Sequence, residues 1–310
     1  MTCVHNVLPK DIVYQWIDKS NITVCKDWYE IWCNKPMTVR VCQVKSRTIF
    51  DPDMLFNFAN LVKLSLGRSS NFGDHIKYLA SLKMLVLDNA SHITDATLTN
   101  LTNLASLTLK KNTGITGTSF KYLTNLTTLK YYSVNGTLGS ELQHLTNLTK
   151  LRVCDAEDVF DHSLLSLTKI NNLALWHCEY ISDESVQHLT NVTSLSIMNT
   201  LCVTDVSIEK LTRLKRLDID CNRNITLKFL TNLTTLNADD WRITSCALTT
   251  LTNLIDLKLG WDVPFLSPHC LTCMTWLKKL SLYSWILPRK CYNQLTSLES
   301  LMLHDCDIYD

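Results

Sequence analysis

Leu101-Thr102-Asn103-Leu104-Ala105-Ser106-Leu107-Thr108-Leu109 is the stretch on which the fold turns, because the chain keeps repeating it. The string Leu-Thr-Asn-Leu-x-x-Leu-x-Leu recurs, with variants in its last positions, from Leu123, Leu145, Leu189, Leu230 and Leu251. Looser copies start at Phe58, Leu79, Leu167, Leu211, Met274 and Leu295, which makes twelve in all. Six consecutive intervals, from Leu79 to Leu211, are each 22 residues long, and the others are 21, 19, 21, 23 and 21. A fixed period of this length marks a stacked array of like units.

The alternating pair that ends each copy, Leu107 and Leu109 or Leu151 and Val153, reads as a short strand with one buried face. The next segment reads differently. Ile93-Thr94-Asp95-Ala96-Thr97-Leu98 and Ile181-Ser182-Asp183-Glu184-Ser185-Val186 put an Asp where a helix N-cap is expected. A short helix should follow and end at the next Leu-Thr-Asn. One copy cannot bury its leucines alone and does so by stacking on its neighbours. Twelve parallel strands at ~4.8 Å spacing extend on the order of 55 Å. Helices are wider than strands. The expected fold is therefore an α/β solenoid, a horseshoe or arc with a parallel β-sheet on the concave face and short helices on the convex face.

This pattern resembles the leucine-rich-repeat family from about Phe58 to Asp310. The run Leu173-x-Leu175-x-x-Cys178-x-x-Ile181-x-Asp183 resembles its cysteine-containing subtype, which is common in intracellular F-box proteins. The ninth position is Asn112, Cys178, Asn222 and Cys306 in four copies, and Ser69, Ala90 or Thr200 in others. It is Trp241 and Trp285 in two, where the ladder of polar contacts at that turn is expected to break. Two irregularities stand out. The 19-residue interval after Leu211 predicts a tight turn at Asn222-Arg223-Asn224 in place of a helix. Pro264 and Pro268, in the 23-residue interval, should block a regular helix.

Upstream, Leu8-Pro9-Lys10-Asp11-Ile12, Trp16-Ile17 and Val24-Cys25-Lys26-Asp27-Trp28-Tyr29 resemble an F-box, several residues shorter between its halves than the family pattern. The resemblance implies a helical cap over residues 1–36, in which Leu8, Pro9, Ile12, Val24, Cys25 and Trp28 dock a Skp1-like ubiquitin-ligase adaptor. The alternative is a plain cap over the first repeat's leucines, which a solenoid needs in any case. Residues 37–57 read as a degenerate first repeat, with Val39, Cys42 and Val44 placed 22 residues before Leu61, Leu64 and Leu66. The twelve-repeat array then occupies 58–310. At the far end Leu298, Leu301 and Leu303 predict a last strand with no closing helix. Asp305, Asp307 and Asp310 supply a polar end, or a second copy covers it. The expected state is a monomer or a tail-to-tail dimer.

Composition limits the function. The chain is 46% hydrophobic with only 7 Gly and 6 Pro, so it can build a long core. Lys+Arg 30 against Asp+Glu 29 gives net charge +1, without the surplus of a dedicated nucleic-acid binder. Residues 1–10 hold no apolar run, and no stretch approaches the ~18 apolar residues of a membrane span. These features predict a cytoplasmic protein without a membrane or nucleic-acid partner, placed in the host cytoplasm or virion if a pathogen or virus encodes it. The 13 Cys are odd in number and scattered, and read mostly as small buried free thiols. Sequons such as Asn125-Leu-Thr127 and Asn147-Leu-Thr149 fall out of the repeat and read as packing positions. His269-Cys270-x-x-Cys273 is the one metal-like spacing, but no second Cys-x-x-Cys pair completes a zinc site. No phosphate-binding loop, nucleophile elbow or H-E-x-x-H motif occurs. Neither a metal, a cofactor nor an enzymatic activity is expected.

Residues flanking the buried leucines should face the concave surface. Lys63, Arg68, Lys110, Lys111, Lys130, Lys150 and Arg152 make its first part basic, against Asp88 and Asp155. Asp218, Asp220, Asp239, Asp240 and Asp256 make its later part acidic, against Arg216 and Lys258. Trp176, His177 and Met198 lie between, and Trp261, Tyr283 and His304 beyond. Aromatic residues within a charged rim suit a protein-binding surface. The function expected is a protein–protein interaction module that recognises its target on this face, with the F-box-like segment docking the adaptor. The alternative is a non-catalytic scaffold.

Overall fold

A computed structural model describes residues 37–41, 61–67, 73–90, 92–112, 114–132, 139–222, 224–239, 243–260 and 266–309. The chain divides into two compact units between Leu148 and Thr149. In the first, strands β1 (Met37–Val41), β2 (Leu61–Leu66), β3 (Met84–Asp88), β4 (Ser106–Lys110) and β5 (Thr128–Tyr132) lie side by side in chain order. In the second, the order is β6 (Lys150–Cys154), β7 (Asn172–Trp176), β8 (Ser194–Met198), β9 (Arg216–Asp220), β10 (Thr235–Asp239), β11 (Asp256–Leu259) and β12 (Lys279–Tyr283). The next strand, β13 (Ile286–Pro288), stands outside this sheet, and β14 (Ser300–His304) pairs with β12 to end it. The recorded pairings are parallel and match the repeat, with Leu107 opposite Leu129 and Leu173 opposite Leu195. The architecture is a leucine-rich-repeat solenoid.

Burial alternates along each strand. In β4, Leu107 and Leu109 are buried while Ser106, Thr108 and Lys110 are half-buried on the other face. Leu104, Leu126, Leu148, Ile170 and Val192, which hold the same place in successive coils, complete the core behind the strands. Short helices cover that core: α1 (Asp95–Leu98), α2 (Asp161–Leu164), α3 (Asp183–Val186), α4 (Asp205–Ile208), α5 (Ser245–Thr249) and α6 (Arg289–Asn293). Elsewhere the return segment tightens into 3-10 turns at Gly73–Tyr78, Phe120–Tyr122, Gly139–His144 and Pro268–Cys273. Pro268 thus opens a 3-10 turn in place of a regular α-helix, because Pro is compatible with the first turn and Ser267 Oγ accepts the His269 N–H. Between β9 and β10 no helix is seen among the described residues, and the Asn224 N–H donates to Asn222 Oδ1 at 3.2 Å, as the shortened interval predicts.

Polar ladders join coil to coil. At the ninth position Asn112 Nδ2 donates to the Leu87 carbonyl at 2.9 Å, and its Oδ1 accepts the Ala90 N–H at 2.8 Å. Thr200 Oγ1 donates to the Leu175 carbonyl and Asn222 Nδ2 to that of Thr200. The Cys178 thiol points at the Val153 carbonyl at 3.8 Å. Trp285 does not break this ladder as expected: its indole N–H donates to the Gly260 carbonyl at 2.9 Å, so a large ring performs the same task. Trp241 lies outside the described residues.

The Asp residues form a second ladder on the helix side. Each is the first helical residue and not the N-cap; the caps are Thr94, Ser182 and Thr204, one position earlier. Asp183 accepts from the Thr204 N–H at 2.8 Å, the Thr204 hydroxyl and the Ser207 N–H at 3.2 Å, all in the next coil. Asp161 takes the Ser182 N–H and the Ser182 and Ser185 hydroxyls, and Asp95 takes five such bonds from Thr116, Gly117 and Ser119. Partial burial pushes these three carboxyls up, but the donated hydrogen bonds outweigh it and hold them below the ordinary value of 3.8. A carboxyl whose value is depressed by folding stabilises the chain above its unfolded value and loses that contribution as pH falls through the folded one. Thermal melts should therefore drop in midpoint below about pH 4. An Asp161→Asn, Asp183→Asn chain should melt lower at neutral pH and lose less on acidification.

A third ladder explains the sequons. Asn125 Nδ2 donates to the Thr102 carbonyl at 2.9 Å and Asn147 Nδ2 to that of Thr124 at 2.8 Å. Asn191 and Asn253 make the equivalent bonds to Thr168 and Thr231. The amide nitrogen of each is thus engaged with the preceding coil.

Three further expectations need correction. Val39 lies opposite Leu64 and Val41 opposite Leu66, so the first strand is three residues out of the register that the spacing suggested for Val39, Cys42 and Val44. Backbone pairing, not side-chain spacing, sets that strand. Beyond β14 the chain adds β15 (Asp307–Tyr309), which pairs in parallel with β13. None of the nine described cysteines forms a disulfide, but only Cys154, Cys178, Cys270 and Cys291 are buried, while Cys202, Cys221, Cys246 and Cys273 are exposed. Those four occupy positions on which no core packs. Burial raises Cys154 to about 11, Cys178 to about 12 and Cys270 to about 11, which keeps these thiols protonated and unreactive at neutral pH. The F-box-like segment with Leu8, Pro9, Ile12, Val24, Cys25 and Trp28 lies outside the described residues. No helix among the described residues is long and apolar enough to cross a membrane.

Candidate functional site

Register sorts the strand residues between the buried leucines into three columns. In the second unit the first column runs Lys150, Asn172, Ser194, Arg216, Thr235, Asp256 and Lys279. The middle column runs Arg152, Ala174, Ser196, Asp218, Asn237, Lys258 and Ser281. The third begins Cys154, Trp176, Met198, Asp220 and Asp239.

The middle and third columns hold the most connected polar group of this face. The Arg152 guanidinium lies over the Trp176 ring at 4.7 Å. The Trp176 indole N–H donates to Ser196 Oγ at 2.9 Å. Ser196 Oγ donates to Asp218 Oδ2 at 3.3 Å, and Asn237 Nδ2 donates to Asp218 Oδ1 at 2.7 Å. A single chain of contacts thus crosses β6 to β10, from a cation through an aromatic ring to a carboxylate. Trp176 is half-buried, with one face against Arg152 and its only donor satisfied by the neighbouring strand. It is a large apolar surface fixed in place before any partner arrives.

Further along the same unit, the Lys258 ammonium lies over the Tyr283 ring at 5.1 Å, and that ring stacks on His304 at 4.4 Å. In the first unit Lys110 lies over the Tyr132 ring at 5.5 Å, with Lys130 exposed in the adjacent column. The expected strand residues Lys110, Lys130, Lys150, Arg152, Trp176, Asp218, Asp220 and Tyr283 therefore do sit on the outward sheet face.

Lys111 and His177 do not. They follow the strand ends with φ of 52° and 54°, as do Asn89, Asp155, Asn199, Cys221, Ser284 and Asp305 at the same place in their coils. This left-handed turn lets the backbone N–H reach the next strand: Lys111 donates to the Tyr132 carbonyl at 3.1 Å and His177 to that of Met198 at 2.9 Å. Their side chains stand on the rim of the sheet, where Asn199 Nδ2 lies 3.2 Å from His177 Nδ1. Asp239 ends β10, while Asp240 and Trp261 lie outside the described residues. Ser196, Asn237 and Asn199 are the site residues that charge and aromaticity did not reveal; their signal is the offset of about one period from Trp176, Asp218 and His177. Among the described residues no three His, Cys, Asp or Glu side chains converge to hold a metal.

No family model matches the sequence, and no curated protein matches it either. Solved structures do. An internalin from Listeria monocytogenes shares 24% identity at a TM-score of 0.60, over 93% of this chain and 85% of its own. Drosophila Toll in complex with Spatzle gives 0.56 at 14% identity, over 84% of this chain and 49% of that one. The plant peptide hormone receptor RGFR1 in complex with RGF2 gives 0.50 at 20% identity, over 83% and 46%. Likeness at this level of identity is likeness of fold. With the repeat, the parallel strands and the ladders, it makes this chain a leucine-rich-repeat solenoid.

Proposed function

We propose that the chain is a protein-binding module whose second unit engages its partner on the sheet face between β6 and β10, with Trp176 as the anchor. The observation that carries this reading is the fixed Trp176 ring between Arg152 and Ser196. An aromatic side chain already held in one place loses little freedom on binding, so more of its burial appears as affinity. Arg152 and Lys150 on one side and Asp218 and Asp220 on the other give the face a charge direction, which orients a partner of opposite pattern. In the first unit, Lys110 and Lys130 favour an acidic partner segment. Two of the structures similar in fold, Toll with Spatzle and RGFR1 with RGF2, are complexes, which supports a binding role at the level of fold. The test is capture of partners by the intact chain against a Trp176→Ala chain.

The ubiquitin-ligase part of the reading rests on the resemblance of Leu8 to Tyr29 to an F-box. A Skp1-like adaptor should be pulled down by the intact chain and not by a Trp28→Ala chain. Equal capture by both would remove the adaptor and leave a scaffold.

A further inference from the structure

In the N-cap column of the second unit, the residue that opens α2 differs from those that open α3, α4 and α5. Ser182 and Thr204 cap α3 and α4 with their hydroxyls, which accept the Glu184 and Val206 N–H groups. Thr244 caps α5 in the same way. The cap of α2 is Phe160, which has no side-chain acceptor. A phenyl group there forgoes the capping hydrogen bond. Its ring is still 40% exposed.

Phe160 has apolar company. Its ring packs on Tyr180 of the next coil at 5.1 Å and stacks on His162 at 5.6 Å. Tyr180 is 51% exposed, and Leu201 on the following coil is also 51% exposed. Three successive coils therefore each carry an exposed apolar residue in the turn that leads from strand to helix. The strand-face network of Arg152 and Trp176 does not include them.

The charge around this patch is one-sided. Between Arg152 and Lys210 the sequence has nine Asp and Glu against a single Lys, in a chain whose net charge is only +1. Asp161, Asp183 and Asp205 among these serve the ladder between coils. Glu157, Glu179 and Glu184 take no part in the ladder and stand exposed in the same turns and first helical residues as Phe160 and Tyr180. Such a field repels nucleic acid and anionic membrane surfaces and attracts cations.

We propose that Phe160, Tyr180 and Leu201, ringed by Glu157, Glu179 and Glu184, form a second docking surface. Its occupant is a cationic amphipathic segment of another protein, one that sets apolar side chains between lysines or arginines. The apolar residues cover the Phe160–Tyr180 pair, and the cations meet the glutamates at the rim.

The test uses the full chain and a fluorescein-labelled Leu/Lys amphipathic peptide of about four helical turns, followed by fluorescence anisotropy in about 0.15 M salt. The intact chain should bind it, and a Ser/Lys peptide of equal charge should bind at least about tenfold more weakly. Phe160→Ser, which gives α2 the hydroxyl that caps α3, α4 and α5, should weaken Leu/Lys binding about tenfold or more. The same variant should melt within about 2 °C of the parent or above it. Glu157→Lys with Glu179→Lys should weaken binding and flatten its salt dependence, while Trp176→Ala should leave it unchanged. The proposal is overturned by absent binding to the intact chain, by equal affinity for the two peptides, or by undiminished binding to Phe160→Ser. It is equally overturned if Phe160→Ser lowers the melting midpoint by more than about 5 °C, since Phe160 would then be a structural residue.

Discussion

An Asn222→Leu chain will be less stable than the parent by about 3 kcal/mol. Asn222 is fully buried, and its amide serves both neighbouring backbones of the turn. Nδ2 donates to the Thr200 carbonyl at 3.0 Å and the Val203 carbonyl at 3.4 Å, and Oδ1 accepts the Asn224 N–H at 3.2 Å. Leucine is not much larger, so no large cavity opens; what is lost is the satisfaction of two carbonyls and one amide. Each buried group left without a partner costs about 1–3 kcal/mol, and three such groups at the lower end of that range give the total. Asn222→Cys should cost about half as much, because Cys178 and Cys306 hold this place in other coils with a thiol directed at backbone carbonyls. Urea unfolding measures both, and hydrogen exchange should show protection lost first at residues 200–203. An unchanged midpoint for Asn222→Leu would mean that the ninth-position ladder does not hold the coils together.

Trp176→Ala will weaken partner binding by about 2 kcal/mol or more, roughly thirtyfold in Kd. The indole presents a broad apolar surface already oriented by Arg152 at 4.7 Å and Ser196 at 2.9 Å. Deleting it removes the contact area and also releases Arg152 from the ring, a cation–π contact worth about 0.5–1 kcal/mol at an exposed site. Arg152→Ala alone should therefore cost only about 1 kcal/mol, and the two losses should not add fully. Stability should change little, since Trp176 is only half-buried and belongs to none of the three ladders. Surface plasmon resonance against whichever partner the intact chain captures, at two salt concentrations, separates the contributions. Full affinity in the Trp176→Ala chain would move the binding surface off these strands, and leave the Phe160 patch as the place to look.

Much of the frame could be read from the leucines because the period of the array is also the period of its contacts. Leu107 lies opposite Leu129 for the same reason that their sequence neighbourhoods look alike. Strand alternation likewise put Lys110, Arg152, Trp176 and Asp218 on the outward face. What was not legible depends on features that periodicity does not encode. The pairing of β13 with β15 involves three residues on each side and arises from where the chain happens to return. Asp183 looked like a helix cap because caps and first helical residues favour the same side chain; only the fold shows it bonded to Thr204 and Ser207. Trp285 looked like a break because a ring does not resemble Asn or Cys, yet its N–H reaches a carbonyl as theirs do. At the site, the link from Trp176 through Ser196 to Asp218 and Asn237 follows side-chain direction across strands, which one-dimensional spacing leaves undefined.

The left-handed residue that follows eight of the described strands has a consequence for how this surface can be altered. Asn, Lys, Asp, His, Cys and Ser all occupy that place, and at Asn89, Lys111, Asp155, His177, Asn199 and Ser284 it is the backbone N–H that reaches the next strand. Any residue that tolerates positive φ can be exchanged into those positions without disturbing the stack, whereas Val, Ile and Thr are excluded by their branched carbons. The rim therefore offers a series of variable sites along the edge of the sheet. Recognition can be rewritten there one coil at a time, by selection or by design, while the scaffold stays as it is.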